Sequence, residues 1–200
     1  MMKLHHSPNS PFARKVMACA ILRGIDQRVD ILATDPHGSP DVLTRDNPLS
    51  KIPALIADDG RAIYDSPVIC EYLDTLGDAA ALFPPTGSAA RLSAQIMHAL
   101  ADGIMDAAVA RRMQIAHPKD DARIAFDARQ KAAVTRGLAV LEAAPPSGLA
   151  DIGAVAAGCA LGYLDFRFAQ EPWRAAHPRL AAWFAAVAVL PAMAKTAPPG

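Results

Sequence analysis

Apolar positions in the first third of the chain form short runs separated by one-sided helical stripes. Residues 3–6 and 29–32 each predict a short strand, and the apolar residues between them recur at the three- and four-residue spacing of a helix. That helix begins after Ser10 and ends where Gly24 follows Arg23, because glycine is common just beyond a helix C-terminus. The pattern therefore predicts a strand–helix–strand unit, with a crossover long enough for two parallel strands.

A hairpin and a second helix follow this unit. The segment 33–47 predicts a loop or a weak helix, because proline and glycine interrupt it. Residues 54–57 and 61–64 flank an Asp-Asp-Gly turn in which glycine can supply a positive φ. A helical stripe then runs from Ser66 to a closing glycine, Gly77. The order of elements is that of a small mixed sheet flanked by helices.

The composition of the chain changes near residue 79. From there alanine supplies most of the hydrophobic content, and the apolar spacing is helical. Two adjacent prolines and a glycine before residue 89 cannot continue a helix and predict a linker. Residues 152–169 are apolar nearly all round, so we expect them to form the central buried helix of the second unit. The predicted organisation is an α/β domain over residues 1–78, a linker over 79–88 and an all-α helical bundle over 89–200.

Composition argues against several classes of function. The 20 Lys and Arg residues balance the 20 Asp and Glu residues, so nothing indicates nucleic acid or an anionic membrane as a partner. Charged residues interrupt the longest apolar stretches, and the N-terminus lacks an apolar signal region, so we expect a cytoplasmic protein. The three cysteines are far apart and no Cys-x-x-Cys occurs. We therefore expect buried thiols rather than disulfides, a dithiol centre or a bound metal.

Three short segments at the ends of these elements carry the candidate chemistry. Ser10-Pro11 and Ser66-Pro67 each place a hydroxyl residue before a proline and an apolar helical run, which predicts an N-cap with proline at the first helical position. Each would aim the unpaired N–H groups and positive end of a helix at whatever lies in front of it. Between them Pro53 starts a strand, so it is a candidate cis-proline that leaves the preceding backbone free to bind a ligand.

These segments resemble the glutathione-binding signature of the glutathione transferase family. The similarity lies in residues 47–55 and 65–73, and the order of elements resembles that family's thioredoxin-like N-terminal domain followed by an all-helical domain. Residues 101–107 and 162–167 are similar to one group of bacterial members. The resemblance covers essentially the whole chain, and it implies a homodimer that takes glutathione as a substrate.

The resemblance also implies a role for each residue of the signature. Ile52, ahead of Pro53, would pair its backbone N–H and C=O with the cysteinyl part of glutathione, as an added strand does. Ser66 and the helix N-terminus would bind the γ-glutamyl carboxylate, and Asp65 would face the ammonium group. Lys51 would meet the glycine carboxylate, although a solvated surface lysine is the alternative interpretation.

The glutathione sulfur would then lie near the start of the first helix. Ser10 stands where omega-like members have a cysteine, Ser7 matches the serine of zeta-like members, and Asn9 matches an amide used by nu-like members. We favour Ser10 as the group that contacts the sulfur and keep Ser7 and Asn9 as alternatives. Serine in place of cysteine favours thiolate activation over mixed-disulfide chemistry.

Residues of the helical half complete these expectations. Asp102 and Asp106 stand four apart on one helix face, which predicts a wall of the cleft or of a dimer interface, and Asp102 is kept as a candidate glutathione-binding residue. Tyr163 is expected to pack in the core. The family's capping box before the buried helix is incomplete, because Asp151 is present without the hydroxyl residue three places earlier, and Ser147 is the nearest substitute.

The leading hypothesis is a cytoplasmic, homodimeric glutathione transferase that activates the thiol of glutathione for attack on an electrophile or a peroxide. Two alternatives stay open. One is a non-catalytic glutathione-transferase-like binding or assembly module, and the other is a glutathione-dependent disulfide reductase. The sequence does not identify the electrophile.

Overall fold

The structure, a computed structural model, describes residues 1–199 and begins with alternating strands and helices. The interrupted segment after the second strand contains a helix of six residues. The elements of this half are β1 (Met2–His6), α1 (Pro11–Leu22), β2 (Val29–Ala33), α2 (Asp41–Asp46), β3 (Ala54–Ile56), β4 (Ala62–Ile63) and α3 (Ser66–Asp74).

Within residues 1–199 the strands form one four-stranded sheet in the order β2-β1-β3-β4. β1 runs parallel to β2 and antiparallel to β3, and β4 is antiparallel to β3. The register aligns His5 with Ala54 and Leu55 with Ile63. The C-terminal ends of β1 and β4 therefore lie beside the N-terminal end of β3. The three candidate segments all meet at that end of the sheet.

The second half of the described chain is helical. Every residue of its central helix from Ile152 to Leu164 is buried, as predicted, and this helix packs against α1 of the first half. No helix within residues 1–199 is long and apolar enough to cross a membrane. The mixed sheet followed by a helical bundle confirms the predicted fold class. The helices are α4 (Ala89–Gln114), α5 (Asp121–Ala143), α6 (Ile152–Arg167), α7 (Pro178–Ala188) and α8 (Pro191–Ala194), with a short 3-10 turn at Arg174–Ala176.

Two details of the helical half differ from a simple interpretation of its pattern. The side chain of Asp151 itself caps α6 and accepts a hydrogen bond from the Ala154 N–H at 3.0 Å, so no substitute from Ser147 is needed. Leu92 and Ile96, two apolar residues in the first turns of α4, are also each 61% exposed. These two side chains face solvent in the single chain.

The segment between α3 and α4 is held to the first half by one carboxylate. Asp74 accepts hydrogen bonds from the backbone N–H groups of Leu82 at 2.8 Å and Phe83 at 3.1 Å. The same carboxylate meets Nε of the buried Arg23 at 3.0 Å. The connection therefore follows a defined path, and the domain limits at residues 78 and 88 stay predictions.

Candidate functional site

The N-terminus of α1 opens at the end of the sheet where the three segments meet. Ser10 is its N-cap, and the Ser10 Oγ accepts a hydrogen bond from the Ala13 N–H at 3.2 Å, which confirms the predicted cap. Because Oγ acts only as an acceptor here, its hydrogen is free to donate to a ligand. The Ser7 Oγ accepts from the Asn9 N–H at 3.3 Å, and the Ser10 N–H donates to the Ser7 carbonyl at 3.0 Å. The three candidate sulfur contacts therefore share one turn.

The loop before β3 is organised by a residue to which the sequence analysis gave no role. Asn47 is 1% exposed, its Nδ2 donates to the Lys51 carbonyl at 2.8 Å, and its Oδ1 accepts from the Leu49 N–H at 3.1 Å. The Ile52–Pro53 peptide is cis, as predicted. The β1–β3 ladder begins after Pro53, so the backbone of Ile52 lies outside it. An asparagine directly before a proline was the signal that could have identified Asn47.

Helix α3 begins one residue earlier than predicted. Asp65 occupies the N-cap position in an extended conformation and Ser66 is the first helical residue, so the prediction of Ser66 as the cap is wrong. Proline is tolerated throughout the first turn, where backbone N–H groups have no helical partner, so its position did not fix the boundary. Ser66 is 2% exposed, whereas Asp65 is exposed. The Tyr64–Asp65 peptide is also cis.

A buried lysine joins α1 to the carboxylate of Asp102 on α4. Lys15 is fully buried, and its Nζ donates to both carboxylate oxygens of Asp102, at 2.7 and 2.8 Å. The same Nζ lies 2.8 Å from Nε2 of His98, one turn earlier on α4. All three donors of the ammonium group therefore have acceptors. Asp102 bonds a lysine of its own chain, and its role in glutathione binding stays a prediction.

The surroundings of this cluster set the charge of His98. Burial, together with the charge of Lys15, lowers the pKa of His98 to about 3, so the imidazole is neutral near pH 7 and Nε2 accepts from Lys15. Burial raises the pKa of Asp102, and the charge of Lys15 opposes that rise. A lysine, an aspartate and a neutral histidine thus link the two halves of the protein.

Further charged groups lie within electrostatic range of this cluster. Asp106 lies one turn after Asp102. Partial burial of its carboxylate raises its pKa, and the positive charge of Lys51 opposes part of that rise. Asp65 raises the pKa of both Asp102 and Asp106 through its negative charge. Lys51 and Asp65, from the first half, are therefore close enough to α4 to interact with it.

A small cavity of about 10 Å³ lies behind the start of α1. It is lined in part by Arg14, which is 7% exposed. The Arg14 Nη2 donates to the Met193 carbonyl at 3.0 Å and its Nε to the Thr196 Oγ at 3.4 Å, which holds the C-terminal segment against α1. A Cβ at Gly162 would overlap Nη1 of Arg14, so glycine makes room for the guanidinium group. The cavity is lined by Pro8, Asn9, Ser10, Pro11, Arg14, Cys159, Tyr163 and Pro198.

The cysteines of the protein are shielded from solvent. Cys19, Cys70 and Cys159 are free and buried. Burial raises the pKa of Cys19 well above its ordinary value and that of Cys159 to about 11, so both thiols are protonated at neutral pH. Over the described part of the chain, no group of three His, Cys, Asp or Glu side chains could hold a metal ion.

Two family models match the chain on either side of the connection between its halves. The model described as Glutathione S-transferase, N-terminal domain, matches residues 9–76. The model described as Glutathione S-transferase, C-terminal domain, matches residues 106–186. A curated relative, the Uncharacterized GST-like protein YibF of Escherichia coli (strain K12), is 32% identical over 205 residues, which cover 99% of both chains.

Solved structures show the same relationship. A glutathione transferase family member from Pseudomonas fluorescens Pf-5, with bound glutathione, is 40% identical, covers 100% of both chains and has a TM-score of 0.92. A structure of a family member from the same organism with bound S-(propanoic acid)-glutathione is also 40% identical over 100% of both chains, with a TM-score of 0.89. The present chain therefore belongs to the glutathione S-transferase family.

Proposed function

We propose that the protein is a glutathione transferase that activates the thiol of glutathione for transfer to an electrophile or a peroxide. The observation that carries this proposal is the N-terminus of α1, where the half-buried Ser10 hydroxyl lies at the open first turn of a helix of 12 residues. The free N–H groups and positive end of such a helix favour an anion in front of it. The Ser10 hydroxyl can add a hydrogen bond to a thiolate there.

The activation required is within reach of these groups. A thiol of pKa about 8.5 is mostly protonated at neutral pH, and each unit of lowering requires about 1.4 kcal/mol of preference for the thiolate. A helix N-terminus contributes roughly 0.3–1 kcal/mol, and a hydrogen bond to a charged acceptor contributes roughly 1.5–3 kcal/mol. Together they would lower the thiol pKa by about one to three units.

The other contacts to glutathione are proposed for the remaining two segments. Ile52, whose backbone lies outside the sheet, would pair with the cysteinyl part of glutathione. The first-turn N–H groups of α3 at Ser66 would bind the γ-glutamyl carboxylate, since the Ser66 hydroxyl is buried, and the exposed Asp65 would face the ammonium group. Lys51 would meet the glycine carboxylate. All these residues belong to residues 1–78, which we propose as the glutathione-binding domain.

The ligands of the relatives support this proposal. Glutathione is bound in the structure of the relative from Pseudomonas fluorescens Pf-5 that is 40% identical to this chain. The S-(propanoic acid)-glutathione in the second structure carries an acidic substituent on sulfur, as a product of thiol transfer would. Both favour a glutathione site with transfer chemistry in the present chain.

Calorimetric titration of glutathione, followed together with the ultraviolet absorbance of the bound thiolate, tests the assignment. The variants are Ser10→Ala and, as a matched control, Ser88→Ala, because Ser88 caps α4 by accepting from the Arg91 N–H at 3.1 Å. The control loses an N-cap without losing a candidate sulfur contact. We expect wild type and Ser88→Ala to bind glutathione as thiolate, and Ser10→Ala to bind it with a thiol pKa about one to two units higher than in the wild type.

The outcomes of this titration separate the alternatives. Thiolate retained in Ser10→Ala but lost in Ser7→Ala or Asn9→Ala would move the sulfur contact to that residue. Absence of glutathione binding to the wild type would contradict the proposal. Binding without turnover of an electrophile or a peroxide would support a non-catalytic binding module, and turnover of a mixed glutathione disulfide alone would support a reductase.

We also propose that the protein is a cytoplasmic homodimer. The free cysteines suit a reducing compartment. Val68 on α3 and Leu92 and Ile96 on α4 are 51–61% exposed, and a groove of about 340 Å³ lies between α4 and α5. A second copy would cover this apolar surface. Light scattering should show a dimer for the wild type and for Val189→Glu, a control at an exposed apolar position elsewhere, and a monomer for Ile96→Glu.

A further inference from the structure

The arginines of this protein fall into two groups that differ in their partners. Some arginines of the helical half have carboxylates that neutralise them. Arg111 meets Asp127 at 2.9 Å and Glu171 at 2.7 Å, and Arg174 pairs with Asp165. For these side chains the fold itself supplies the counter-charge.

Three buried or half-buried arginines, one of which lines the cavity at the start of α1, form no ion pair with any residue in 1–199. They are Arg14, Arg112 and Arg167. Nη1 of Arg14 and Nε of Arg167 are buried without a hydrogen-bond partner. Arg112 and Arg167 are half-buried, so water screens them only in part. Cations held in this way favour the binding of an anion.

Tyr163 places two of these arginines relative to the proposed thiol. Its side chain borders the cavity together with Ser10. Its phenol lies within electrostatic range of Arg167, one turn later on α6, and of Arg112 on α4. The Arg167 guanidinium lies 3.9 Å from the centre of the Phe166 ring, which supports its plane. Burial raises the pKa of the Tyr163 phenol, so the hydroxyl stays protonated and can donate.

A second set of charges near the site is negative. Asp65, Asp102 and Asp106 lie within electrostatic range of one another, and Asp102 is bonded to Lys15. The cation of Lys15 is fully buried and has no free donor, so it offers nothing to a ligand. An acidic group on a substrate would be repelled by these carboxylates and attracted to Arg112 and Arg167.

We propose that the second substrate is an electrophile bearing a carboxylate, which Arg112 and Arg167 bind while the electrophilic carbon faces the sulfur at Ser10. This inference rests on the proposed function and assigns the substrate class of the same site. Arginine suits a carboxylate because its planar fork of N–H donors matches the two oxygens. The Tyr163 hydroxyl supplies a third donor beside them.

A matched pair of probes differs in this carboxylate alone. The acid is para-(bromomethyl)benzoate and the neutral partner is its methyl ester, so both present the same benzylic carbon and leaving group. In each reaction the thiolate sulfur forms a bond to the benzylic carbon, the carbon–bromine bond breaks and its electron pair leaves with bromide. The thiol proton passes to solvent. Rates are corrected for the uncatalysed reaction with glutathione.

The variants are Arg112→Gln, Arg167→Gln and the control Arg129→Gln, an exposed arginine of α5 whose loss changes the net charge equally. We expect the wild type to favour the acid over the ester by about tenfold in kcat/KM, and the two site variants to lose most of that preference through a higher KM. Arg129→Gln should keep it. Glutathione titration of each variant verifies that the site is intact.

Binding of the two S-benzyl conjugates of glutathione provides a second measurement that does not need turnover. The acid conjugate should bind about tenfold more tightly than its ester, and only in proteins that keep Arg112 and Arg167. Normal glutathione binding with equal affinity for both conjugates would overturn this inference and leave the proposed function standing. Absence of glutathione binding to the wild type would contradict the proposed function itself.

Discussion

His98 accepts a proton less readily in the folded chain than in the unfolded chain, so acid should destabilise the fold. Its pKa falls from an ordinary value of 6.5 to about 3, because burial disfavours the charged imidazole and the ammonium group of Lys15 repels it. Between these values the unfolded state binds more protons than the folded state. The contribution of His98 is therefore complete above pH 6.5 and is lost progressively as the pH falls toward 3.

The loss can be estimated over an accessible range of pH. With the two pKa values above, His98 should lower the free energy of unfolding by about 2 kcal/mol between pH 7 and pH 5. The imidazole is only 6% exposed, so solvent screens this effect little. About 2 kcal/mol is a large share of the roughly 5–15 kcal/mol that stabilises an ordinary domain.

Urea unfolding at both pH values, at one protein concentration, measures this contribution. In His98→Gln the new side chain has an amide oxygen that can accept from Lys15, and it does not titrate. The unfolding free energy of this variant should therefore fall between pH 7 and pH 5 by about 2 kcal/mol less than that of the wild type. His117→Gln, at an exposed position, is the control and should follow the wild type. Equal pH dependence in wild type and His98→Gln would refute the argument.

Two further predictions concern the buried arginines Arg23 and Arg14. Asp74→Asn leaves a buried arginine without its charge partner and should cost about 3 kcal/mol in urea unfolding, whereas Glu71→Gln, which removes an exposed ion pair, should cost less than about 1 kcal/mol. Gly162→Ala would place a methyl group against the Arg14 guanidinium and should lower stability by about 1–3 kcal/mol. Gly38→Ala, at an exposed turn where a methyl group meets nothing, should change stability by less than about 0.5 kcal/mol, and a cost like that of Gly162→Ala would contradict the packing argument.

Local chemistry explains which parts of the site the sequence could predict. Ser10 was predicted as a cap because a serine before a proline and an apolar run encodes its own hydrogen bond within three residues. The cis-proline at Pro53 and the buried helix α6 were equally local, since each depends on residue type and spacing alone. Ser66 was misplaced because Asp65 and Ser66 are both good N-cap residues, and only the backbone conformation decides between them.

The cluster of Lys15, His98 and Asp102 shows what sequence patterns could not predict. Lys15 lies on a helix whose polar positions would ordinarily face solvent, and its partner carboxylate is 87 residues away in the chain. His98 and Asp102 stand four apart on α4, which indicates a shared face but not what that face meets. The contact forms only because α1 packs against α4, and that packing is a property of the folded protein.

Sequence patterns also could not predict which basic side chains stabilise the fold and which are available to a ligand. Lys15 and Arg111 are buried and have carboxylates in contact, so removing either would leave those carboxylates without their partner and would act mainly on folding. Arg112 and Arg167 have no such partner among residues 1–199, so removing their charge takes no ion pair from the fold and acts mainly on an anionic ligand. In the sequence all four are simply basic residues. Their different roles follow from which carboxylates the fold brings near them, and this is why the substrate class could be argued only from the structure.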